Sequence, residues 1–215
     1  MQGFALANNT ENAIFAELDQ HPERAQRFAN AMSMISKEEG YELSHLMKVF
    51  DWSADKPLVF VDVGGSHGMV GIALAQHLDK VRCIVQDLPS VIAEGLSRLP
   101  KHLSEKVQFM EHDFFAAQPV DGADVYFFRW IFHDWSDKYC VRLLRALIPA
   151  LKDGARVIIS DFTMPPPGEL PRYDEWLIRY VRGLSGQSLP LTSFYCQSLR
   201  SCDAGIVQFE RARSR

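Results

Sequence analysis

The sequence has few residues that would cross-link the chain or anchor it in a membrane. It contains only 4 cysteines, which form neither a C-x-x-C pair nor a His/Cys cluster with zinc spacing: Cys83, Cys140, Cys196 and Cys202. This pattern excludes a disulfide scaffold and favours reduced thiols in a cytoplasmic protein. No apolar run approaches the roughly 18 residues of a membrane span, and the opening residues lack the basic flank of a signal peptide. We therefore expect a chain that is neither inserted in a membrane nor secreted.

The sequence also lacks an excess of positive charge. Its 23 Lys and Arg residues are outnumbered by 27 Asp and Glu residues, which gives a net charge of -4. Without a basic field, neither a nucleic acid nor an anionic membrane is an expected partner. A hydrophobic fraction of 47% and a charged fraction of 23% are typical of an ordinary globular protein.

The periodicity of the apolar residues divides the chain into three predicted segments. Residues 1–52 have the spacing of amphipathic helices. In residues 53–181, short β-branched runs alternate with helical patterns, which is typical of βαβ units and a parallel sheet. Residues 182–215 show no sustained period and are left unassigned. The predicted fold class is α/β, a doubly wound sheet with helices on both faces, preceded by a helical segment.

Within the middle segment the predicted elements follow one another closely. Strands are expected at 58–63, 81–85, 107–110, 124–132 and 155–162, and helices at 69–78, 89–98 and 137–151. Ser136 is a candidate N-cap for the last of these helices, and Gly154 lies just past its end. Because parallel strands place their carboxyl ends at one sheet edge, residues that follow these strands are the candidate ligand contacts.

A glycine-rich loop joins the first predicted strand to the first helix of this segment. The residues Asp62-Val63-Gly64-Gly65-Ser66-His67-Gly68 do not satisfy the dinucleotide pattern G-x-G-x-x-G, so NAD binding is not expected. A carboxylate at the strand end can pair with an ammonium group, which suits the amino-acid part of S-adenosylmethionine. The alternative is a tight turn that needs glycine for structural reasons only.

Further acidic and aromatic residues follow the next two strands. Asp87 lies 87 − 68 = 19 residues after Gly68, close to the roughly 20 at which an acidic residue meets ribose hydroxyls. It could instead be an N-cap of the helix after Pro89. Asp113 could accept a hydrogen bond from an adenine amino group while Phe114 covers the ring. A turn with buried aromatic residues is the alternative for this pair.

The fourth strand is followed by a histidine at the edge where open α/β sheets bind ligands. This residue, His133, belongs to the type of side chain that most often acts as a general base at neutral pH. From the residues alone, the alternative is a capping or packing role before the helix that starts after Ser136. A catalytic role and a structural role therefore both remain possible for His133 from its position alone.

Four motifs together resemble the plant and fungal small-molecule O-methyltransferases over about residues 1–180. They are VDVGGSHG (61–68), DLP (87–89), HDFF (112–115) and RWIFHDWSD (129–137). The resemblance implies a Rossmann-like fold and S-adenosylmethionine as cofactor, without a metal. It also implies a role for each site residue. Gly64 and Gly65 would contact the methionine part, with Asp62 and Gly68 in the same loop; Asp87 would bind the ribose; Asp113 and Phe114 the adenine; Arg129 the cofactor; His133 would be the base and Asp161 would orient it.

The two ends of the chain differ from the family pattern. Members form homodimers through an N-terminal winged-helix domain, of which only the end resembles residues in this chain. They also have closing antiparallel strands after the fifth strand, which residues 182–215 do not match. The leading hypothesis is an O-methyltransferase acting on a hydroxylated aromatic or polyketide-like acceptor. The alternatives are a non-catalytic remnant that binds cofactor or a partner, and an enzyme that uses the same cofactor site for a rearrangement.

Overall fold

A computed structural model of the chain describes residues 3–12, 14–35, 43–49, 52, 57–161 and 206–210. Its strands are β1 (Leu58–Val63), β2 (Val81–Asp87), β3 (Val107–Glu111), β4 (Val125–Arg129), β5 (Arg156–Ser160) and β6 (Ile206–Glu210). They form one sheet in the order β3-β2-β1-β4-β5-β6. The first five strands are parallel and β6 is antiparallel to β5.

The strand order reverses between β1 and β4, which are neighbours in the sheet. The chain moves outward from β1 to β2 and β3, then returns to the other side of β1 to begin β4. Loops after β1 and β4 therefore diverge above the sheet and leave a crevice at its carboxyl edge. This topology confirms the predicted doubly wound sheet.

Helices cover both faces of the sheet. The described helices are α1 (Gly3–Asn8), α2 (Ile14–Asp19), α3 (Pro22–Ile35), α4 (Leu43–Val49), α5 (Met69–His77), α6 (Pro89–Arg98) and α7 (Asp137–Leu147). One core combines Phe60 and Phe127 of the sheet with Leu74 of α5. In the other core, on the opposite face, Tyr126 of β4 packs with Leu143 of α7. Alternate residues of β4 thus serve opposite cores, as a strand buried on both faces requires.

The N-terminal helices are tied together by a polar cluster around Glu17. This carboxylate accepts hydrogen bonds from Thr10 Oγ1 at 2.8 Å and Asn12 Nδ2 at 2.9 Å, and it contacts His21 Nε2 at 3.2 Å. The side-chain bonds from Thr10 and Asn12 lower the pKa of Glu17 below its usual value. The residues before α2 are therefore held to its first turn.

Most predicted elements lie where the sequence placed them. Helix α6 has the predicted bounds, whereas α7 stops at Leu147 because a 3₁₀ turn with Pro149 replaces its predicted last turn. Ser136 occupies the N-cap position of α7, although its side chain makes no capping hydrogen bond. The predicted boundary at 52/53 adjoins residues outside those described, and the boundary at 181/182 lies outside them. Both boundaries remain predictions.

Strand β6 corrects the prediction that no closing strand is present after the fifth strand. Residues 206–210 pair with β5 in antiparallel register, with Ile158 opposite Gln208. Ile206, Val207 and Phe209 are residue types that favour strands, but one five-residue strand is too short to impose a period on the whole tail. Because β6 pairs with β5, the hydrogen-bonding groups along that side of β5 are not left exposed.

None of the helices within the described ranges is both long enough and apolar enough to cross a membrane.

Candidate functional site

The predicted site residues gather at the carboxyl edge of the parallel strands. Asp62 lies near the end of β1, Asp87 ends β2, and Arg129 ends β4. His133 lies in a 3₁₀ turn, Phe132–Asp134, that follows β4, and Asp161 directly follows β5. Residues separated by up to a hundred positions in sequence therefore share one crevice, because the parallel topology brings all these strand ends together.

Contacts within the protein determine the conformation of the glycine loop. Gly64 and Gly68 have φ angles of +71° and +76°, which favour glycine. The N–H groups of Gly64 and Gly65 both donate to the Gln86 carbonyl, at 2.8 and 3.0 Å. A Cβ on Gly65 would lie 2.6 Å from the Asp62 carboxyl group. The tight-turn interpretation therefore accounts for the glycines, and support for a ligand must come from other groups.

Asp62 provides that support. Its side chain is 1% exposed, and its Oδ2 atom has no hydrogen-bond partner among the described residues. Burial raises the pKa of Asp62 to about 7, although the Arg129 guanidinium acts in the opposite direction. A buried carboxylate oxygen without a partner is costly, and a bound cation would remove that cost. The site is thus suited to an ammonium group.

Asp87 organises the start of the same loop. Its Oδ2 atom accepts a hydrogen bond from the Ser66 N–H at 2.8 Å, and its Oδ1 atom accepts one from the Leu88 N–H at 2.8 Å. Burial raises its pKa, and these two hydrogen bonds oppose the rise. The N-cap of α6 is Leu88, so the N-cap alternative for Asp87 is not what the structure shows. Each carboxylate oxygen keeps a lone pair for a ligand hydroxyl.

Asp113 and Phe114 lie in the turn after β3. Asp113 is exposed, and its Oδ1 atom accepts a hydrogen bond from the Phe115 N–H at 2.9 Å, as in an Asx turn. The Phe114 ring lies 3.8 Å from the position of a Cβ on Gly64 and 5.9 Å from the Trp135 ring centroid. Asp113 therefore stabilises a turn in the structure, which was the alternative to adenine binding. The Phe114 ring lies beside the glycine loop.

His133 is held by carboxylates on two sides. Its Nδ1 atom lies 2.6 Å from Asp161 Oδ1, and its backbone N–H donates to Asp161 Oδ2 at 3.1 Å. Its Nε2 atom lies 3.4 Å from Asp134 Oδ1. Burial raises the pKa of Asp134 to about 6. The ring does not cap α7, and the predicted neighbour Asp161 is in direct contact with it.

A pair of glutamines below this edge, Gln86 and Gln118, was not among the predicted site residues. Gln86 is 0% exposed, and it exchanges two hydrogen bonds with Gln118, of 2.8 and 2.9 Å. Gln118 also accepts the Val120 N–H at 3.0 Å. The pair joins β2, whose carbonyl holds the glycine loop, to the loop that follows Phe114. A glutamine directly after the apolar run Cys83-Ile84-Val85 was the available signal.

We expect Gln118→Leu to destabilise the chain, because it leaves the buried Gln86 amide without its partner. The free energy of unfolding should fall by about 1–3 kcal/mol. Urea denaturation measures this change. The exposed Gln108→Leu variant on β3 is the matched control and should stay within about 0.5 kcal/mol of the parent. A loss no larger than that of the control would contradict the structural role of the pair.

Within the described residues, no group of three or more His, Cys, Asp or Glu side chains is arranged to hold a metal ion.

Comparison with curated proteins gives relatives that are named O-methyltransferases. The chain is 49% identical over 180 residues to the grayanic acid biosynthesis cluster O-methyltransferase of Cladonia grayi, covering 83% of this chain and 40% of that protein. It is 43% identical to the chlorophenol O-methyltransferase of Trichoderma longibrachiatum, covering 87% and 41%. The chain thus spans about two fifths of the length of these curated relatives.

The fold comparison agrees. A solved structure described as LepI in complex with SAM superposes with a TM-score of 0.71 at 28% identity, covering 92% of this chain and 51% of that one. The family defined by an O-methyltransferase domain matches residues 6–174, which contain every site residue described above. The chain belongs to this O-methyltransferase family.

Proposed function

We propose that this chain supplies the S-adenosylmethionine site and the general base of an O-methyltransferase that acts on a small hydroxylated aromatic or polyketide-like acceptor. The observation that carries the proposal is the His133–Asp161 contact of 2.6 Å, at the same sheet edge as the buried Asp62 carboxylate. One group is suited to accept a proton and the other to hold a cation. Family membership supports their combination in one reaction.

The residues present fit the cofactor. Asp62 would bind the ammonium group and Arg129 the carboxylate of the methionine part. Asp87 would accept hydrogen bonds from the ribose, and Asp113 and Phe114 would contact the adenine. The structural relative described as bound to SAM supports this assignment.

When bound, the cofactor supplies an electrophilic methyl group on a sulfonium sulfur. The chain's own contribution is to accept the proton of the attacking hydroxyl and to align that hydroxyl. Because Asp161 accepts a hydrogen bond from Nδ1, the lone pair of the neutral imidazole lies on Nε2. Nε2 would therefore accept the proton of the acceptor hydroxyl as that oxygen is methylated.

The two carboxylates then stabilise the charged ring. Asp161 lies at Nδ1 and Asp134 lies near Nε2, so the imidazolium formed during the transfer is flanked by negative charge. Asp134 can play this part only when ionised, above its pKa of about 6. Asp161 therefore orients the His133 ring, and the charge of Asp134 beside the ring depends on pH.

The acceptor class is inferred from the named relatives. One is named for chlorophenol and another for a grayanic acid cluster, which supports an aromatic hydroxyl as the methylated group.

The buried free thiols Cys83 and Cys140 support the prediction of a cytoplasmic protein. We retain the non-catalytic remnant and the rearrangement as the outcomes to be tested against methyl transfer.

The deciding experiment combines calorimetric titration of S-adenosylmethionine with a methyl-transfer assay on a panel of phenols, using a cofactor with a deuterated methyl group. Binding followed by a deuterium-labelled ether is the expected result. Binding with no product would favour the remnant, and an isomerised, unlabelled product would favour the rearrangement. Absence of binding would overturn the proposal.

We further expect Asp87→Ala to weaken binding of S-adenosylhomocysteine, because the ribose hydroxyls lose their acceptor and the Ser66 N–H loses its partner. A lost hydrogen bond to a charged group corresponds to a decrease of about 10- to 100-fold in affinity. Titration of Asp87→Asn separates the two effects, since it keeps an acceptor oxygen. Equal affinity in the parent chain and Asp87→Ala would remove this residue from the site.

A further inference from the structure

Trp130, directly after β4, has an unusual backbone conformation. Its φ angle is +56°, in the left-handed region that a bulky side chain rarely adopts. Its N–H donates to the Ser160 carbonyl at 3.0 Å, so the neighbouring strand β5 holds the conformation in place. Backbone strain of this kind persists where the surrounding structure enforces it, and it is concentrated at functional sites.

The conformation places the Trp130 ring against its neighbour. The Arg129 guanidinium carbon lies 4.5 Å from the Trp130 ring centroid, within cation–π distance. The same guanidinium is close enough to Asp62 for its charge to lower the pKa of that carboxyl group. One side of Arg129 therefore contacts an aromatic ring, and its charge acts on the predicted ammonium site.

We propose that Trp130 is a positioning residue that holds the Arg129 guanidinium where it can bind the carboxylate of the cofactor's methionine part. This inference rests on the proposed cofactor site and extends it to a residue with no assigned role. Arginine has many rotamers, and immobilising one in advance lowers the entropy cost of binding. Glycine would adopt this backbone conformation with less strain. The presence of tryptophan at this position is therefore explained by its ring and not by the backbone.

The alternative is that Trp130 only fills space, and two ligands separate the interpretations. S-adenosylhomocysteine carries the amino-acid part, whereas 5′-methylthioadenosine has the same nucleoside and thioether without it. A variant that merely disturbs packing should weaken both ligands. A variant that misplaces Arg129 should weaken only the ligand with a carboxylate.

The test measures both dissociation constants by calorimetry for the parent chain, Trp130→Phe, Trp130→Leu and Trp130→Gly. We expect Trp130→Leu and Trp130→Gly to weaken S-adenosylhomocysteine by about 2- to 30-fold, the range of a cation–π contact. Binding of 5′-methylthioadenosine should stay within about twofold. Trp130→Phe keeps an aromatic face and should retain most of the affinity.

Two controls complete the test. Trp52→Leu removes a tryptophan that packs against Phe60, away from the sheet edge, and should leave both ligands unaffected. In an Arg129→Gln background, Trp130→Leu should cause no further loss, because the group it positions is gone. Equal weakening of both ligands, or an undiminished loss in the Arg129→Gln background, would overturn the positioning role. If the parent chain bound neither ligand, the proposed cofactor site would fail as well.

Discussion

Methyl transfer is expected to fall by about 10²–10⁴ in the His133→Gln variant, the usual share of general base catalysis. Glutamine keeps much of the side-chain volume and can still hydrogen bond to Asp161. It cannot accept the hydroxyl proton. The measurement is kcat at saturating cofactor and acceptor, with any phenol that the parent chain methylates.

Cofactor affinity separates this effect from misfolding. Nδ1 of His133 is held by Asp161 and Nε2 is assigned to the acceptor hydroxyl, so replacement of the ring should change the dissociation constant of S-adenosylhomocysteine by less than about twofold. His77→Gln is the matched control, because His77 is exposed at the end of α5 and contacts only the Ala73 carbonyl among its described hydrogen-bond partners. Unchanged turnover in His133→Gln would exclude this histidine as the base.

The pH profile gives a further check. Burial raises the pKa of Asp134 to about 6, so its charge beside Nε2 is lost as the pH falls through that value. Turnover should therefore decrease in the parent chain as the pH falls through about 6. In Asp134→Asn this carboxylate is absent, so turnover should be lower above about pH 6 and should change less steeply around that pH. An identical profile in both proteins would show that Asp134 does not respond to pH in this way.

The sheet and the position of the site could be predicted from sequence because both depend on local patterns. The β-branched runs at 58–63 and 81–85 favour strands, and the carboxyl ends of parallel strands share an edge. Asp62, Asp87 and His133 were therefore predicted to lie together from their positions at strand ends. The contact between His133 and Asp161 follows from the adjacency of β4 and β5.

Features that depend on tertiary contacts were not predictable in the same way. The positive φ of Trp130 comes from a hydrogen bond to Ser160, 30 residues further along the chain. The role of Gln86 depends on an amide that reaches it from Gln118. Strand β6 pairs only because β5 offers a free edge. In each case the partner is remote in sequence, so the residue's own type does not reveal the contact.

Asp62→Asn is expected to change both the stability of the chain and its affinity for the cofactor, by amounts that depend on pH. In the folded chain burial raises the pKa of Asp62 from 3.8 to about 7. Between these values the folded state holds a proton that the unfolded state has released. The free energy of unfolding should therefore decrease as the pH rises from 3.8 towards about 7. This decrease should be absent in Asp62→Asn, which carries no titratable group there.

Ligand binding should show the opposite trend. An ammonium group prefers the ionised carboxylate, so S-adenosylhomocysteine should bind more tightly as the pH rises through about 7, and binding should release a proton. Calorimetry in buffers of different ionisation enthalpy measures that proton. In Asp62→Asn the proton release should vanish, and affinity above about pH 7 should be about 10- to 100-fold lower.

The comparison of stability and binding in one variant makes this test specific. Above about pH 7, Asp62→Asn should be more stable than the parent chain, because it avoids burying an ionised carboxylate. It should nevertheless bind the ligand more weakly. Asp79→Asn, in the exposed turn after α5, is the control and should change neither property. Proton release that persisted in Asp62→Asn would assign the pH response to another group, and an unchanged affinity would mean that the buried carboxylate does not hold the ammonium group.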